Sequence, residues 1–133
     1  MVVSSPIETA QALHTAIELG RVGQELEDLF TPDATVTEYP NLVKPAGGRA
    51  DLSQVLAGSR AGARLLSAQR YDVHHAAAYG NTAIMRLTWS GTVAADVGRF
   101  VTGQQLTAHI AQFLTVRNGR ISTIATYDCY EPF

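Results

Sequence analysis

The feature that most restricts the possible folds of this chain is the dipeptide Asn118-Gly119, which separates two stretches of alternating apolar and polar residues. Asn-Gly between alternating runs is the strongest short-range signal of a β-hairpin, because both residues tolerate the positive φ of a type I′ turn. Residues 106–116 and 121–130 are therefore predicted to be antiparallel strands. Gly80-Asn81 predicts a second hairpin, which joins strands at residues 70–79 and 82–93.

The first half of the chain carries helical signals instead. The motif Ser5-Pro6-Ile7-Glu8 has the residue types of a capping box, and Gly20 is placed to end the helix that follows. A shorter second helix is predicted next, followed by a strand over residues 34–39 and a loop over residues 41–48. Asp51 is expected to cap a third helix. The predicted order is therefore helix, helix, strand, helix and four antiparallel strands.

Composition limits the class of protein and its partners. The chain has 133 residues, and we predict a single domain over residues 1–133 because no linker or repeat interrupts it. Hydrophobic residues make up 46% and charged residues 17%, which is typical of a globular protein. The formal net charge is −2 and no dense cluster of Lys and Arg occurs, so nucleic acid is not expected as a partner.

Targeting and metal signals are not found in the sequence. We expect no membrane association and a cytoplasmic location, because there is no secretory signal and no apolar run of membrane-spanning length. The four histidines show neither HxH nor HExxH spacing, and Cys129 is the single cysteine. These spacings do not predict a metal site, and no phosphate-binding or dinucleotide-binding motif predicts another cofactor.

Three segments carry a family resemblance that covers nearly the whole chain: residues 30–36 (FTPDATV), 116–121 (VRNGRI) and 127–133 (YDCYEPF). They are similar to segments of the nuclear transport factor 2-like superfamily, and especially of its SnoaL-like, polyketide cyclase-like branch. The resemblance implies an α+β fold in which a cone-shaped, curved antiparallel sheet is closed by three N-terminal helices. It also implies a hydrophobic pocket inside the cone and a homodimer.

The same resemblance implies an activity. It points to a cofactor-free acid–base enzyme of the cyclase, isomerase, dehydratase or epoxide hydrolase type, acting on a small hydrophobic ligand. Tyr39 stands where ketosteroid isomerases carry their general base, and Arg86-Leu87-Thr88 lacks the carboxylate of limonene-type epoxide hydrolases. SnoaL-type cyclases use an aspartate of the final strand, which corresponds to Asp128. The alternative is a non-catalytic module of the same fold, for small-molecule binding or dimerisation.

The Asn118-Gly119 turn gives a candidate catalytic pair without reference to any family. Counting back along a regular hairpin places His109 directly opposite Asp128, and cross-strand partners lie about 5 Å apart. A carboxylate can fix the tautomer of an imidazole and raise its basicity, as a general base requires. The competing interpretation is an ion pair on the surface or in a dimer interface. One β-bulge in the hairpin would exchange its two faces.

Six further residues are candidates for substrate binding. Gln112 and Tyr127 are predicted on the more apolar face of the same hairpin, where they could hydrogen-bond a ligand carbonyl or enolate. His74 is predicted on the pocket side of the Gly80-Asn81 hairpin. The alternative explanation for these residues is packing in the core, or hydrogen bonds within the protein. The candidate aromatic walls of the pocket are Tyr39, Trp89 and Phe113.

Overall fold

The computed structural model describes residues 5–133, which contain three helices. Helix α1 spans Pro6–Glu18 and begins as the sequence predicts, because the Ser5 side chain accepts a hydrogen bond from the backbone N–H of Glu8. Helix α2, Gln24–Glu27, is a single turn. Helix α3, Leu52–Leu65, has a complete capping box between Asp51 and Gln54. These caps satisfy backbone N–H groups that have no partner within the helix.

The strands form one six-stranded sheet in the order β2-β1-β6-β5-β4-β3. All neighbours are antiparallel except β1 and β6, which pair in parallel. Asn118 and Gly119 both have positive φ, as their predicted hairpin turn requires. The strands are β1 (Phe30–Glu38), β2 (Gly48–Asp51), β3 (Leu66–Tyr79), β4 (Thr82–Val93), β5 (Gln105–Arg117) and β6 (Arg120–Tyr130).

The α+β class and the mostly antiparallel sheet agree with the sequence prediction, with two differences in detail. Of the three helices expected to close the sheet, only α1 and α3 are long, and α3 follows β2. Strand β2 was not predicted, because its four residues carry no alternation of apolar side chains. Its partner strand β1 supplies the hydrogen bonds that make it a strand.

Helices α1 and α3 pack against one face of the sheet, here named the inner face, and the opposite face is the outer face. Burial alternates along β4 and β5, so successive side chains point to the two faces. The inner face carries the core, whose largest fully buried side chains include Met85, Leu87, Leu114 and Ile121. A site within the protein must therefore be built from inner-face residues.

A β-bulge in β6 breaks the regular register of the last hairpin. Val116 pairs with Ile121 but Thr115 pairs with Thr123, so Ser122 is an extra residue on β6. Its hydroxyl donates a hydrogen bond to the carbonyl oxygen of Thr115 at 3.1 Å. A bulge of this kind moves every later residue of its strand by one position relative to the partner strand.

The bulge overturns the predicted pairing of His109 with Asp128. Asp128 instead pairs with Ile110 on the inner face, and His109 pairs with Cys129 on the outer face. Because side chains alternate along a strand, a shift of one residue reverses the face that each side chain occupies.

A second bulge, at His74 in β3, has the same effect on the first hairpin. Val73 pairs with Leu87 and His75 with Arg86, which leaves His74 as the extra residue. The predicted pairing of His74 with Leu87 is therefore wrong. On the far side of the bulge, Tyr71 moves opposite Trp89 on the inner face.

No helix within residues 5–133 is both long and apolar enough to cross a membrane.

Candidate functional site

Two cavities lie between the inner face and the helices. The first, here named the polar cavity, has a volume of about 360 Å³. Its walls combine aliphatic side chains of α1, α3 and β1 with the polar groups Glu38, Lys44, Gln54, Gln69 and Tyr71. Polar side chains inside an otherwise apolar pocket are the groups that orient a ligand.

The second cavity, here named the apolar cavity, has a volume of about 210 Å³ and adjoins the first at Gly62 of α3. A Cβ atom added at Gly62 would meet nothing within 4 Å, so this wall is open space. The Trp89 indole Nε1 donates to Gln69 at 3.1 Å, which fixes the ring between the two cavities. The remaining walls are Val43, Leu65, Leu66, Val93, Phe100, Leu106 and Tyr130.

Asp128 lies on the inner face of β6, partly buried, and is not part of the wall of either cavity. Its carboxylate accepts a hydrogen bond from the Thr126 hydroxyl at 2.5 Å. Burial raises the pKa of this carboxyl above its usual range, the Thr126 hydrogen bond lowers it, and the charge of Glu38 raises it. A carboxyl group in such surroundings can exchange a proton closer to neutral pH than an exposed aspartate can.

Two tyrosines lie near Asp128, one on the wall of each cavity. Tyr71 lines the polar cavity and Tyr130 lines the apolar cavity. They belong to one row across the inner face, Tyr71–Trp89–Ala108–Tyr130, in which fully buried Ala108 leaves room for the rings. Burial raises the pKa of both tyrosines, and the charge of Asp128 raises it further. Both hydroxyls therefore remain protonated at neutral pH and can act as hydrogen-bond donors.

His14 of α1 supports this cluster from the helix side. Its ring is 4% exposed and stacks on Tyr71, with the ring centroids 4.3 Å apart. Its Nε2–H donates to the Gln112 side-chain oxygen at 2.9 Å, and its Nδ1 has no hydrogen-bond partner within residues 5–133. Burial lowers the pKa of His14, while Gln112 and the charge of Glu18 raise it. Gln112 thus lies on the inner face as predicted and holds His14.

Glu38 places a second carboxylate on the wall of the polar cavity. It accepts a hydrogen bond from the Asn41 side-chain amide at 2.8 Å, and Lys44 lies 4.0 Å away. The Lys44 contact is a weak, partly exposed ion pair. Glu38 is therefore held on the wall of the polar cavity, and its charge raises the pKa of both Asp128 and Tyr130.

The family model of the SnoaL-like domain matches residues 10–124. The chain belongs to the SnoaL-like domain family. No curated protein matches the sequence significantly.

Solved structures support the fold of this SnoaL-like protein. IdmH from Streptomyces antibioticus, for which polyketide cyclase activity has been proposed, has 22% identity and a TM-score of 0.78 over 94% of this chain and 92% of its own. A proposed isomerase from Rhodopseudomonas palustris has 19% identity and a TM-score of 0.73 over 100% of this chain and 93% of its own. A proposed polyketide cyclase from Sinorhizobium meliloti has 21% identity and a TM-score of 0.65 over 90% and 94%. At these identities the similarity establishes the fold alone.

Both histidines predicted for the site of the SnoaL-like protein lie on the outer face. The His109 Nε2 donates to the Glu131 carboxylate at 2.8 Å, and both side chains are more than half exposed. His74 is exposed and hydrogen-bonds with the Thr88 hydroxyl at 2.8 Å. The expectation that these histidines face the pocket is wrong. His109 alternates with the buried Ala108 and Ile110 along β5, so its side chain points to the outer face, and His74 is the bulged residue of β3.

Three aromatic residues predicted for the site also lie on the outer face. Tyr39 and Tyr127 stack with ring centroids 4.4 Å apart, and Phe113 meets Tyr127 edge to face at 6.0 Å. We name these three residues the outer aromatic cluster. Their exposed fractions are 40%, 43% and 38%, so the cluster faces away from both cavities. Of the predicted aromatic walls, Trp89 lines the apolar cavity, and the other two lie on neither the polar nor the apolar cavity.

Sequence reasoning missed Tyr71 and His14 as site residues, and included Tyr130 only within the family motif. One signal was available for β6, since Ile121 and Ile124 are three residues apart and strict alternation would separate them onto opposite faces. Both are buried, which requires an extra residue between them. His14 has no comparable signal, because its contacts with Tyr71 and Gln112 join distant parts of the chain.

Within residues 5–133, no group of three or more His, Cys, Asp or Glu side chains is arranged to hold a metal ion.

Proposed function

We propose that this SnoaL-like protein is a cofactor-free acid–base enzyme acting on a small hydrophobic molecule held between the inner face and the helices. Asp128 is the proton acceptor and donor. The observation that carries the proposal is the position of Asp128, a partly buried carboxyl on the inner face of β6, next to the row that contains Tyr71 and Tyr130. Burial raises the pKa of this carboxyl. An enzymatic general base needs this combination of limited solvation and nearby hydrogen-bond donors.

The fold family supports the class of chemistry. A polyketide cyclase and an isomerase have been proposed among its structural neighbours. Removal of a proton next to a carbonyl group is a step that a general base can catalyse in reactions of both kinds. The apolar cavity gives one side of the site apolar walls, and limited solvation strengthens the interactions of a carboxylate with a developing charge. We propose that a ligand spans Gly62, with its apolar part against Trp89 and its carbonyl oxygens in the polar cavity.

The experiment is hydrogen exchange at carbon, which requires no knowledge of the natural product formed. The protein is incubated in D₂O with a panel of cyclic ketones, β-diketones and enones, and deuterium incorporation is followed by mass spectrometry. We expect exchange above the protein-free rate for at least one compound. Asp128→Asn is expected to lower the exchange rate about 100-fold or more, because general base catalysis contributes 10²–10⁴-fold.

Glu131→Gln is the matched control, since Glu131 is a carboxylate three residues further along that bonds His109 on the outer face. We expect it to exchange at the wild-type rate. The proposal is contradicted if Asp128→Asn keeps the wild-type rate, or if no compound exchanges faster with protein than without it.

A second candidate function is favoured by one observation, the absence of Asp128 from the walls of both cavities. A non-catalytic binding protein would need only the cavities. It predicts ligands retained in native mass spectrometry, equal affinity in wild type and Asp128→Asn, and no exchange at carbon in either.

A further inference from the structure

Tyr71 carries a hydrogen-bond donor that the fold itself does not use. No group within residues 5–133 hydrogen-bonds to its hydroxyl, although the ring is packed against the core. The side chain lines the polar cavity. Tyrosine hydroxyls in largely apolar surroundings usually find a hydrogen-bond partner. Because Tyr71 is only partly buried and lines the polar cavity, the partners within reach of its hydroxyl are water and a ligand that enters the cavity.

The Tyr71 ring is held in place from several directions. It stacks on His14 at an interplanar angle of 6°, and the Gln112 side chain fixes His14 in turn. The backbone N–H of Tyr71 donates to the Glu18 carboxylate at 2.8 Å, which ties the edge strand β3 to the end of α1. A donor that is fixed before the ligand arrives stabilises a developing charge without the cost of reorienting.

We propose that Tyr71 is the catalytic hydrogen-bond donor to the substrate oxygen that becomes negatively charged when Asp128 removes a proton. The inference rests on the proposed function, in which the substrate is a carbonyl with an acidic C–H beside it, and adds the residue that recognises the carbonyl oxygen. In the step, the C–H bond breaks and its proton passes to the Asp128 carboxylate. The electron pair of that bond delocalises onto the carbonyl oxygen, and the total charge of −1 moves from Asp128 to the enolate.

Tyr71 keeps its own proton throughout this step. Burial holds the pKa of its hydroxyl well above the usual range, and the charge of Asp128 adds to the effect. The hydroxyl therefore donates a hydrogen bond to the enolate and does not lose its proton to it. When Asp128 takes up the proton it loses its negative charge, and this makes the site more favourable for the enolate anion. Asp128 therefore acts on the carbon and Tyr71 on the neighbouring carbonyl oxygen.

The test uses p-nitrophenolate as a stable mimic of the enolate oxygen and p-nitrotoluene as an uncharged analogue of similar shape. Asp128→Asn is the background, because a neutral carboxamide stands for the protonated acid and can still accept from Thr126. Into this background we place Tyr71→Phe, Tyr130→Phe, or the control Tyr79→Phe. Tyr79 lies on the same strand β3 but is 81% exposed. Affinities follow from quenching of Trp89, the single tryptophan.

We expect Tyr71→Phe to weaken p-nitrophenolate binding about tenfold or more, because a hydrogen bond to a charged group is lost, and to change p-nitrotoluene binding less than about twofold. The Tyr79→Phe control is expected to bind both probes as the background does. The Phe ring preserves the stacking on His14, and thermal unfolding checks that each variant is folded.

Three outcomes would overturn the inference. If Tyr71→Phe weakens the binding of both probes equally, Tyr71 contributes only to the wall of the cavity. A larger selective loss in Tyr130→Phe would assign the donor to Tyr130. If the Asp128→Asn background binds p-nitrophenolate no more tightly than p-nitrotoluene, the protein has no oxyanion site. Failure of the proposed function is distinguished from these outcomes, because deuterium exchange measures C–H cleavage and probe affinity measures the hydrogen bond.

Discussion

Asp128 makes the stability of the folded protein depend on pH in the direction opposite to an exposed aspartate in an ion pair. Its pKa is raised on folding, chiefly by burial, so the folded state binds its proton more tightly than the unfolded state. Stability therefore falls as the pH rises from the ordinary pKa of aspartate through the pKa of the folded state. Asp128→Asn removes this titration, and we expect a higher thermal midpoint than wild type at neutral pH. The difference should shrink toward about pH 4.

Asp33 provides a control of opposite sign. It accepts hydrogen bonds from the Arg117 guanidinium and the Thr31 hydroxyl, and both lower its pKa. Asp33→Asn should therefore lower the midpoint at neutral pH, with a loss that disappears as the pH falls through the folded-state pKa. Thermal unfolding of the three proteins between about pH 2 and pH 8 gives the comparison, because the folded-state pKa of Asp33 lies below its usual range. A midpoint for Asp128→Asn below that of wild type throughout would show that its ionised form is stabilised by the fold.

At the scale of single residues, the sequence identifies candidate site side chains better than it identifies the residues that contact them. Asp128 is placed on the final strand by the family resemblance, and Trp89 and Gln112 follow from apolar alternation. The contacts of His14 with Tyr71 and of Gln112 with His14 join residues far apart in the chain. Such contacts depend on how α1 crosses the sheet, which no local pattern determines.

At the scale of elements, turn chemistry predicts the hairpins and says nothing of the bulges. Strand β4 begins and ends where alternation and the Gly80-Asn81 turn predict. The extra residues Ser122 and His74 are accommodated because the strands on either side bury their apolar side chains better with them. A bulge lets the apolar residues before it and after it both face the core, so it can be predicted only when the two stretches are compared.

Deletion of Ser122 tests this account of β6. The register on either side of the bulge is that of a regular hairpin once the extra residue is removed. We therefore expect the deletion to fold with Asp128 still on the inner face, and to lose about 1 kcal/mol with the hydrogen bond to Thr115. Insertion of one alanine after Ala125 should instead turn Thr126, Asp128 and Tyr130 outward and abolish cooperative unfolding. Urea unfolding followed by Trp89 fluorescence measures both.

The bulge assignment fails if the deletion variant is unfolded, or if the insertion variant unfolds cooperatively with wild-type stability. A deletion variant that folds but loses all exchange at carbon would show that the bulge also sets the direction of the Asp128 side chain.

At the scale of the whole molecule, the sequence predicts the α+β class and most of the succession of elements, and misses the pairing of the first strand with the last. The parallel pairing of β1 with β6 joins Val36 to Ile124 across most of the chain. Long-range pairing of this kind leaves no periodic signal in either strand. The same pairing brings Glu38 beside Thr126, and so places the second carboxylate near Asp128.

The outer face carries a group of partly exposed rings, the outer aromatic cluster of Tyr39, Phe113 and Tyr127. Contiguous apolar surface on a folded protein marks an interaction site. We propose that two copies of the chain associate through this face. We expect the wild type to sediment as a dimer and Tyr127→Arg as a monomer, because an unpaired charge in the centre of an interface is costly to bury.

Leu19→Arg is the matched control for the dimer, since Leu19 is a 60% exposed apolar residue at the end of α1, away from the outer face. It introduces the same charge and should sediment as the wild type does. A stable interface buries about 800 Å² on each partner, so it must extend beyond the three rings to include neighbours such as His109 and Arg86. A wild type that is monomeric at every concentration, or equal dissociation of both arginine variants, would remove the outer face as the interface. The aromatic cluster would then be open to a different protein.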